Sequence, residues 1–503
     1  MTSNLPALVI VVPLFACLVA AASGWIDRRV PFPVAVTALF LSFLSAAGLL
    51  VQVVTTGLTL EYRLAGWAAP MGIVYVIDHL SAIVLVVITA VALTNLIFNK
   101  DNIKREFKDK EGAFNSLYLL FTAGLIGMTA TGDAFNLYVL LEIVSLSGYA
   151  LIGLGTKRAP LATLNYLFIG TIGATFYLLG VGYLYIATGS LNMGDLASII
   201  PGMMDSSIVL FAFIICLAGL FVKMAMFPAH GWLPGAYSES STVSAGLIAP
   251  LTTKVTVYIM IRICLYVFTA DYVFDHLDCG KIMVWLAIAT MVFGSLSALA
   301  QKNYKRMFSY IIISEVGYMV GGFFLGNRLG ISGSILHIVN DAVMTLAVFM
   351  AAGIFFWKTG GESRNDLKGL FASMPFTMAG FVIGGLSIIG VPPTCGFFSK
   401  WYLVSGGIAA GNYFFVAALI FCSLVNAVLF FRLFEISFFE PFVDHHHAAS
   451  HGSGGGAVSV VREAPLGMLI PFLFVSGMLI VLGLYSGTIV TNILQFAIPT
   501  GII

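Results

Sequence analysis

The stretch Ala218-Gly-Leu-Phe-Val-Lys223-Met-Ala-Met-Phe227-Pro228-Ala-His230-Gly-Trp-Leu-Pro-Gly235 sets a lysine in an apolar run and then interrupts that run with two prolines and two glycines. It has a counterpart in Gly390-Val-Pro-Pro-Thr-Cys-Gly-Phe-Phe-Ser-Lys400. Broken backbone at membrane depth is tolerated only where protein or water satisfies the freed polar groups, so each break is expected to line a hydrated cavity. The alternative is a simple proline kink.

Composition demands the membrane that this reading assumes. Of 503 residues, 59% are hydrophobic and 9% charged, whereas soluble domains are about one quarter charged. The 24 Lys+Arg and 23 Asp+Glu residues cannot cover a protein of this size in water, so most of the outer surface faces lipid. A soluble enzyme is excluded. Continuous apolar runs argue against an outer-membrane barrel, and a net charge of +1 argues against a nucleic-acid partner. The N-terminal Met-Thr-Ser-Asn-Leu-Pro lacks a basic signal-peptide region, so the first apolar run is expected to stay as a helix. Six cysteines form no CxxC or metal spacing, so neither a cofactor nor a metal is expected in this chain.

A crossing takes roughly 20 apolar residues. Apolar runs place helices at roughly 5–25, 32–54, 73–98, 114–131, 134–155, 161–188 and 207–227, then 282–300, 307–326, 332–357, 375–409 (interrupted), 412–434 and 467–487. With 236–249 as the second half of a broken seventh helix and 250–270 as the eighth, the expected fold is an all-α polytopic membrane protein of fourteen helices, discontinuous at the seventh and twelfth. Lys and Arg gather in cytoplasmic loops, and 17 of the 24 basic residues fall in the loops after helices 1, 3, 5, 9, 11 and 13. Both termini are therefore expected outside, in a multi-pass protein of the cytoplasmic (inner) membrane. The polar stretch 435–466 carries His445, His446, His447 and His451. A metal-binding tract is one reading; a flexible cytoplasmic loop is the one adopted.

The two breaks lie about 160 residues apart, close to five helices with their loops, and an odd repeat must enter the membrane in the opposite sense. The expected division is 1–112 for three N-terminal helices, 113–270 and 271–434 for two inverted five-helix repeats, 435–466 for the polar loop, and 467–503 for the last helix and tail.

Where the charges fall is more specific. Glu142, Lys223, Lys254 and Lys400 each sit inside an apolar run. A charge at the bilayer centre costs about 2.5–3.5 kcal/mol on insertion scales, so four together weaken insertion by on the order of 10 kcal/mol unless paired or hydrated. A desolvated lysine can be brought into a titratable range while arginine stays protonated, so these lysines can hold and release a proton; the competing explanation is a static buried ion pair. Glu315, His337 and Asp341 are candidates in the second half, with His337 and Asp341 one helical turn apart and able to hydrogen-bond. A membrane histidine is also a common structural hydrogen-bond partner. Asp133 is placed as a helix cap, and Asp78 with His79 as a local polar contact.

Taken together, Glu142, Lys223 with the Phe227–Tyr237 segment, Lys254, the stretch Asn303-Tyr-Lys-Arg-Met-Phe-Ser-Tyr310 and Pro392–Lys400 resemble the antiporter-like, proton-conducting subunits of respiratory complex I (types L, M and N), membrane-bound hydrogenases and multisubunit Mrp-type sodium/proton antiporters, over roughly residues 65–435. Length and Lys rather than Glu at 400 point toward the D-type component of Mrp antiporters. The resemblance implies a proton relay of Glu142, Lys223, Lys254, His337 and Lys400, with Asp341, Glu315 and His230 as secondary members. It also implies other membrane subunits as partners, and protons or sodium ions as cargo. The family row Asn-His-Ala then lysine reads here Asn340-Asp341-Ala342-Val-Met-Thr345, where Asp341 replaces or retunes the usual connection between halves. Two other readings are a structural or quinone-facing subunit with a vestigial ion path, and a stand-alone antiporter. No bond-breaking chemistry is expected in the chain itself.

Overall fold

The computed structural model of the protein describes residues 4–155, 158–440 and 463–499. Twelve helices are long and apolar enough to cross a bilayer. They are Leu5–Ile26, Pro31–Thr56, His79–Phe98, Glu111–Ala130, Ala134–Gly153, Ala159–Thr188, Thr242–Tyr266, Gly280–Leu299, Tyr304–Phe324, Arg328–Thr359, Tyr413–Phe439 and Leu466–Leu484. Two more positions are filled by pairs of shorter helices, Ser207–Lys223 with Leu233–Glu239, and Pro375–Ile389 with Cys395–Ala409. The described residues thus supply fourteen spans, broken at the seventh and twelfth as the prolines and glycines predict.

Several expected boundaries move. The third span starts at His79 and not at 73, because Asp78 caps it: Asp78 Oδ1 accepts from the Ser81 amide and Ser81 Oγ from the Asp78 amide, each at 2.9 Å. The preceding residues Val74–Ile77 pair antiparallel with Leu60–Arg63, a hairpin that apolar length alone does not reveal. The second half of the seventh span is Leu233–Glu239, shorter than the expected 236–249. Ser241 then caps a single helix, Thr242–Tyr266, which passes through Pro250, the residue at which the sequence suggests a new span. The fourth span starts at Glu111, two residues before the expected unit boundary. Tyr413–Phe439 carries helix five residues into the expected 435–466 loop; the histidines of that loop lie outside the described residues. Asp133 caps the fifth span as expected, accepting from the Asn136 amide.

Burial ranks the spans by their distance from lipid. The most apolar window is entirely buried in Thr242–Tyr266 and 94% buried in both Tyr304–Phe324 and Arg328–Thr359, against 33% in Leu5–Ile26. The eighth, tenth and eleventh spans therefore form a core that the others wrap, and they carry Lys254, Glu315, His337 and Asp341.

Without a hydrophobic drive between helices in lipid, close approach of small residues supplies the packing. A Cβ on Gly219 would stand 2.5 Å from the Gly173 carbonyl oxygen and 2.7 Å from the Tyr177 amide nitrogen, so these two glycines let the first half of the broken seventh span lie directly on the sixth. Gly219→Val should lower the thermal unfolding midpoint of the purified protein through overpacking of about 1–3 kcal/mol. Gly477→Ala, which meets nothing within 4 Å, should leave the midpoint unchanged in the same experiment.

Candidate functional site

The charges that composition made scarce are gathered on the buried spans. Lys223 closes the first half of the broken seventh span, 5% exposed. Its Nζ donates to Ser145 Oγ at 2.7 Å. Glu142 lies one turn before Ser145 on the same helix and is half-buried. No ion pair within 4.0 Å joins Glu142 to Lys223 among the described residues; the hydrogen-bond partner of the lysine is Ser145. The break itself is held by protein: the Phe227 amide donates to Thr290 Oγ1 at 3.2 Å and Trp232 Nε1 to the Val222 carbonyl at 3.0 Å. His230 stacks on Phe227 and lies tilted against Phe293, which also touches Phe227, so its ring contacts are aromatic rather than charged.

Lys254 is 1% exposed. Its Nζ lies 2.9 Å from Asp341 Oδ2 of the eleventh span and donates to Thr345 Oγ1 at 3.1 Å, while Thr345 Oγ1 donates to Asp341 Oδ1 at 2.9 Å. The altered row of the eleventh span thus grips the eighth span by its lysine. Asp341 does not meet His337, although the two share a helix face. The two histidine nitrogens are already engaged, Nε2 with Glu315 Oε2 at 2.6 Å and Nδ1 with Ser399 Oγ at 2.8 Å. Each of these partners comes from outside the histidine's own helix.

Glu315 is the centre of the other cluster. Its Oε1 lies 3.7 Å from Lys400 Nζ and accepts from Asn426 Nδ2 at 3.4 Å. Lys400 reaches back across the second break to donate to the Ile388 carbonyl at 2.6 Å, so a cation caps the C-terminal end of Pro375–Ile389. Gly390 makes that reach possible: its φ is 93°, and a Cβ there would stand 3.2 Å from Lys400 Cδ. Lys400 also lies over the Tyr318 ring, 4.9 Å from its centroid.

The fifth, seventh and eighth spans also carry buried hydroxyls that make no well-formed hydrogen bond to protein. They belong to Tyr149, one turn beyond Ser145; Tyr237, in the second half of the broken span; and Thr252 and Thr253, beside Lys254. Buried polar groups left unpaired by protein are the groups that internal water satisfies.

One buried pair escapes sequence reasoning. Arg262, two turns beyond Lys254, clamps Asp78 with NH1–Oδ2 at 2.6 Å and NH2–Oδ1 at 2.8 Å, and donates to Tyr258 Oη from Nε and NH2. The local contact expected of Asp78 with His79 is replaced by this long-range one. The sequence does hold a signal for it: an arginine eight residues from Lys254 on the same helix face needs a buried anion. The Asn303–Tyr310 stretch proves to be an anchor. Lys305 donates to the Ser240 carbonyl and pairs with Glu362 at 3.2 Å, and Asn303 Nδ2 donates to Glu362 Oε2. It fastens the turn between the seventh and eighth spans.

Residues 131–426, which include every group of this site, match the family described as NADH:quinone oxidoreductase/Mrp antiporter, TM. The chain belongs to that family. Within the NADH:quinone oxidoreductase/Mrp antiporter family it is 41% identical to the N-type subunit of the NADH-quinone oxidoreductase of Desulforudis audaxviator, covering 99% of each chain. It is 32% identical to the D-type subunit of the Na(+)/H(+) antiporter of Alkalihalophilus pseudofirmus, over 84% of this chain and 85% of that one. A chain of the membrane-bound sulfane sulfur reductase, an archaeal respiratory membrane complex, superposes with a TM-score of 0.89 at 31% identity, covering 98% of this chain and 97% of that one. The kinship with D-type antiporter chains thus extends to an N-type chain at higher identity.

Breaking one partner of a buried pair leaves an uncompensated charge, at a cost of about 3–5 kcal/mol, whereas replacing both by apolar groups of similar size is far milder. Asp78→Asn and Arg262→Gln should each lower the unfolding midpoint sharply. The double variant Asp78→Leu/Arg262→Met should recover most of the loss, a coupling readable from a thermal-unfolding cycle.

Proposed function

We propose that this NADH:quinone oxidoreductase/Mrp antiporter family chain translocates protons as one subunit of a multisubunit membrane complex. The path runs from Glu142 and Lys223 through Lys254 and Asp341 to His337, Glu315 and Lys400. The observation that carries this reading is the Lys254–Asp341 pair at 2.9 Å, because it ties the charge of one broken-span half to the helix that bears the histidine of the other. Relatives named as subunits of an NADH-quinone oxidoreductase and of a Na(+)/H(+) antiporter support both the cargo and the presence of partner subunits. Sodium is the second ion that this kinship admits.

Spans four to eight and nine to thirteen are read as two five-span units of opposite sense, with the Lys/Arg-rich loops cytoplasmic and both termini outside. Driving force comes from a partner's redox reaction or an opposing ion gradient. A potential of 100 mV contributes about 2.3 kcal/mol per charge, comparable with fewer than two pKa units at about 1.36 kcal/mol each, so modest tuning of buried lysines suffices. The altered eleventh-span row is the reason to weigh a vestigial path. It carries a buried ion pair between the two halves, which supports transport instead.

Lys223→Ala should abolish coupled ion transport by the assembled complex in proteoliposomes while co-purification of the neighbouring subunits is kept; wild-type transport by an assembled variant would refute the relay. Glu142→Gln should impair transport, and neutralising His445, His446, His447 and His451 together should not.

A further inference from the structure

A small cavity lies between the two charge clusters. It is lined by Glu315, Asp341 and Thr345, by Ile388, and by apolar side chains including Ile312 and Val348. About 10 Å3 is open to the centre of a water molecule, room for about one. Both carboxylates on its wall are 1% exposed. Each turns its other face to a base that can trade protons with it: Asp341 to Lys254 at 2.9 Å, and Glu315 to His337 Nε2 at 2.6 Å. Asp341 Oδ2 faces Lys254 Nζ at 2.9 Å and Oδ1 accepts from Thr345, one partner at each oxygen. Each oxygen keeps a further lone pair for another donor.

We propose that the passage between the two halves is a carboxylate-to-carboxylate transfer, Asp341 to Glu315, through one water held in this cavity. The proposal rests on the relay reading above and adds to it the crossing step. Lys254 gives an Nζ proton to Asp341, breaking N–H and forming O–H. Protonated Asp341 gives that proton to the water as the water gives one of its own to Glu315, so the water is regenerated. The proton is then held on Glu315, whose other oxygen already accepts from His337 Nε2. The net change is loss of one proton at Lys254 and gain of one at Glu315, with no co-reactant. The charged and titratable groups facing the two carboxylates are Lys254, His337 and Lys400, with Tyr318 and Cys422 beside Glu315 and Cys395 beside Asp341, and Thr345, Asn426 and the Lys400-bound Ile388 carbonyl as neutral neighbours.

The test uses the complete complex purified through this chain, reconstituted with a pH-sensitive dye in the vesicle lumen. Glu315→Gln and Asp341→Asn should each slow proton movement at least ten-fold with assembly retained, and the double variant should be no slower than the slower single, since both interrupt one step. Ile312→Phe, which fills the cavity without touching a charge, should slow transport by a similar factor and keep the variant assembled. If Asp341→Asn fails to assemble, Glu315→Gln and Ile312→Phe decide the matter between them. Wild-type rates in assembled Glu315→Gln or Ile312→Phe would overturn the crossing step, and so would losses that multiply in an assembled double variant. Lys223→Ala measured alongside separates the two levels: wild-type transport there refutes the relay itself, whereas loss at Lys223 with wild-type rates in Ile312→Phe refutes only the proposed crossing.

Discussion

An ammonium group and a carboxylate, Lys254 and Asp341, lie 2.9 Å apart in the most buried part of the protein. Separation would leave a bare charge in a medium that solvates it poorly, at several kcal/mol. The eighth and eleventh spans are therefore held in one register by electrostatics as well as by packing, and Thr345 closes the triangle with hydrogen bonds to both partners. The polar groups that make up the site take their positions from these two helices and the tenth. Glu315 meets His337 because the tenth span packs on the eleventh. Lys400 meets Glu315 because the second break lets Cys395–Ala409 start at the right depth.

The second-half clusters also balance in charge. Lys254 and Lys400 are matched by Asp341 and Glu315, and His337 contacts the Glu315 oxygen that Lys400 does not face. Toward the first half the character changes. Lys223 has a serine, not a carboxylate, at hydrogen-bond distance, and the fifth, seventh and eighth spans carry the unpaired hydroxyls of Tyr149, Tyr237, Thr252 and Thr253.

Much of this is legible in the sequence. Apolar length is a strong signal in lipid, so fourteen spans and their breaks at Pro228–Pro234 and Pro392–Pro393 can be read directly, and a lysine in an apolar run announces a polar interior without further help. Pairings that depend on how helices face one another are not legible in this way. Spacing alone turns Asp341 toward His337, four residues away; it turns instead toward Lys254, 87 residues away, because Glu315 and Ser399 already hold both nitrogens of the imidazole. Arg262 and Asp78 are farther apart still. Boundaries fail where hydropathy outweighs capping chemistry: Val74–Ile77 is apolar enough for a helix, yet Asp78 and Ser81 start the helix only after it.

On the proposed reading, charges on the fifth, seventh, eighth, tenth, eleventh and twelfth spans form one connected path for protons. A cryo-EM map of the assembled complex, at a resolution that shows ordered water, tests it most directly. Water density should link Lys223 to Lys254 past Tyr237 and Thr252, occupy the cavity between Asp341 and Glu315, and reach Lys400. A dry interior, with these side chains in place and no water between Lys223 and Lys254, would contradict it.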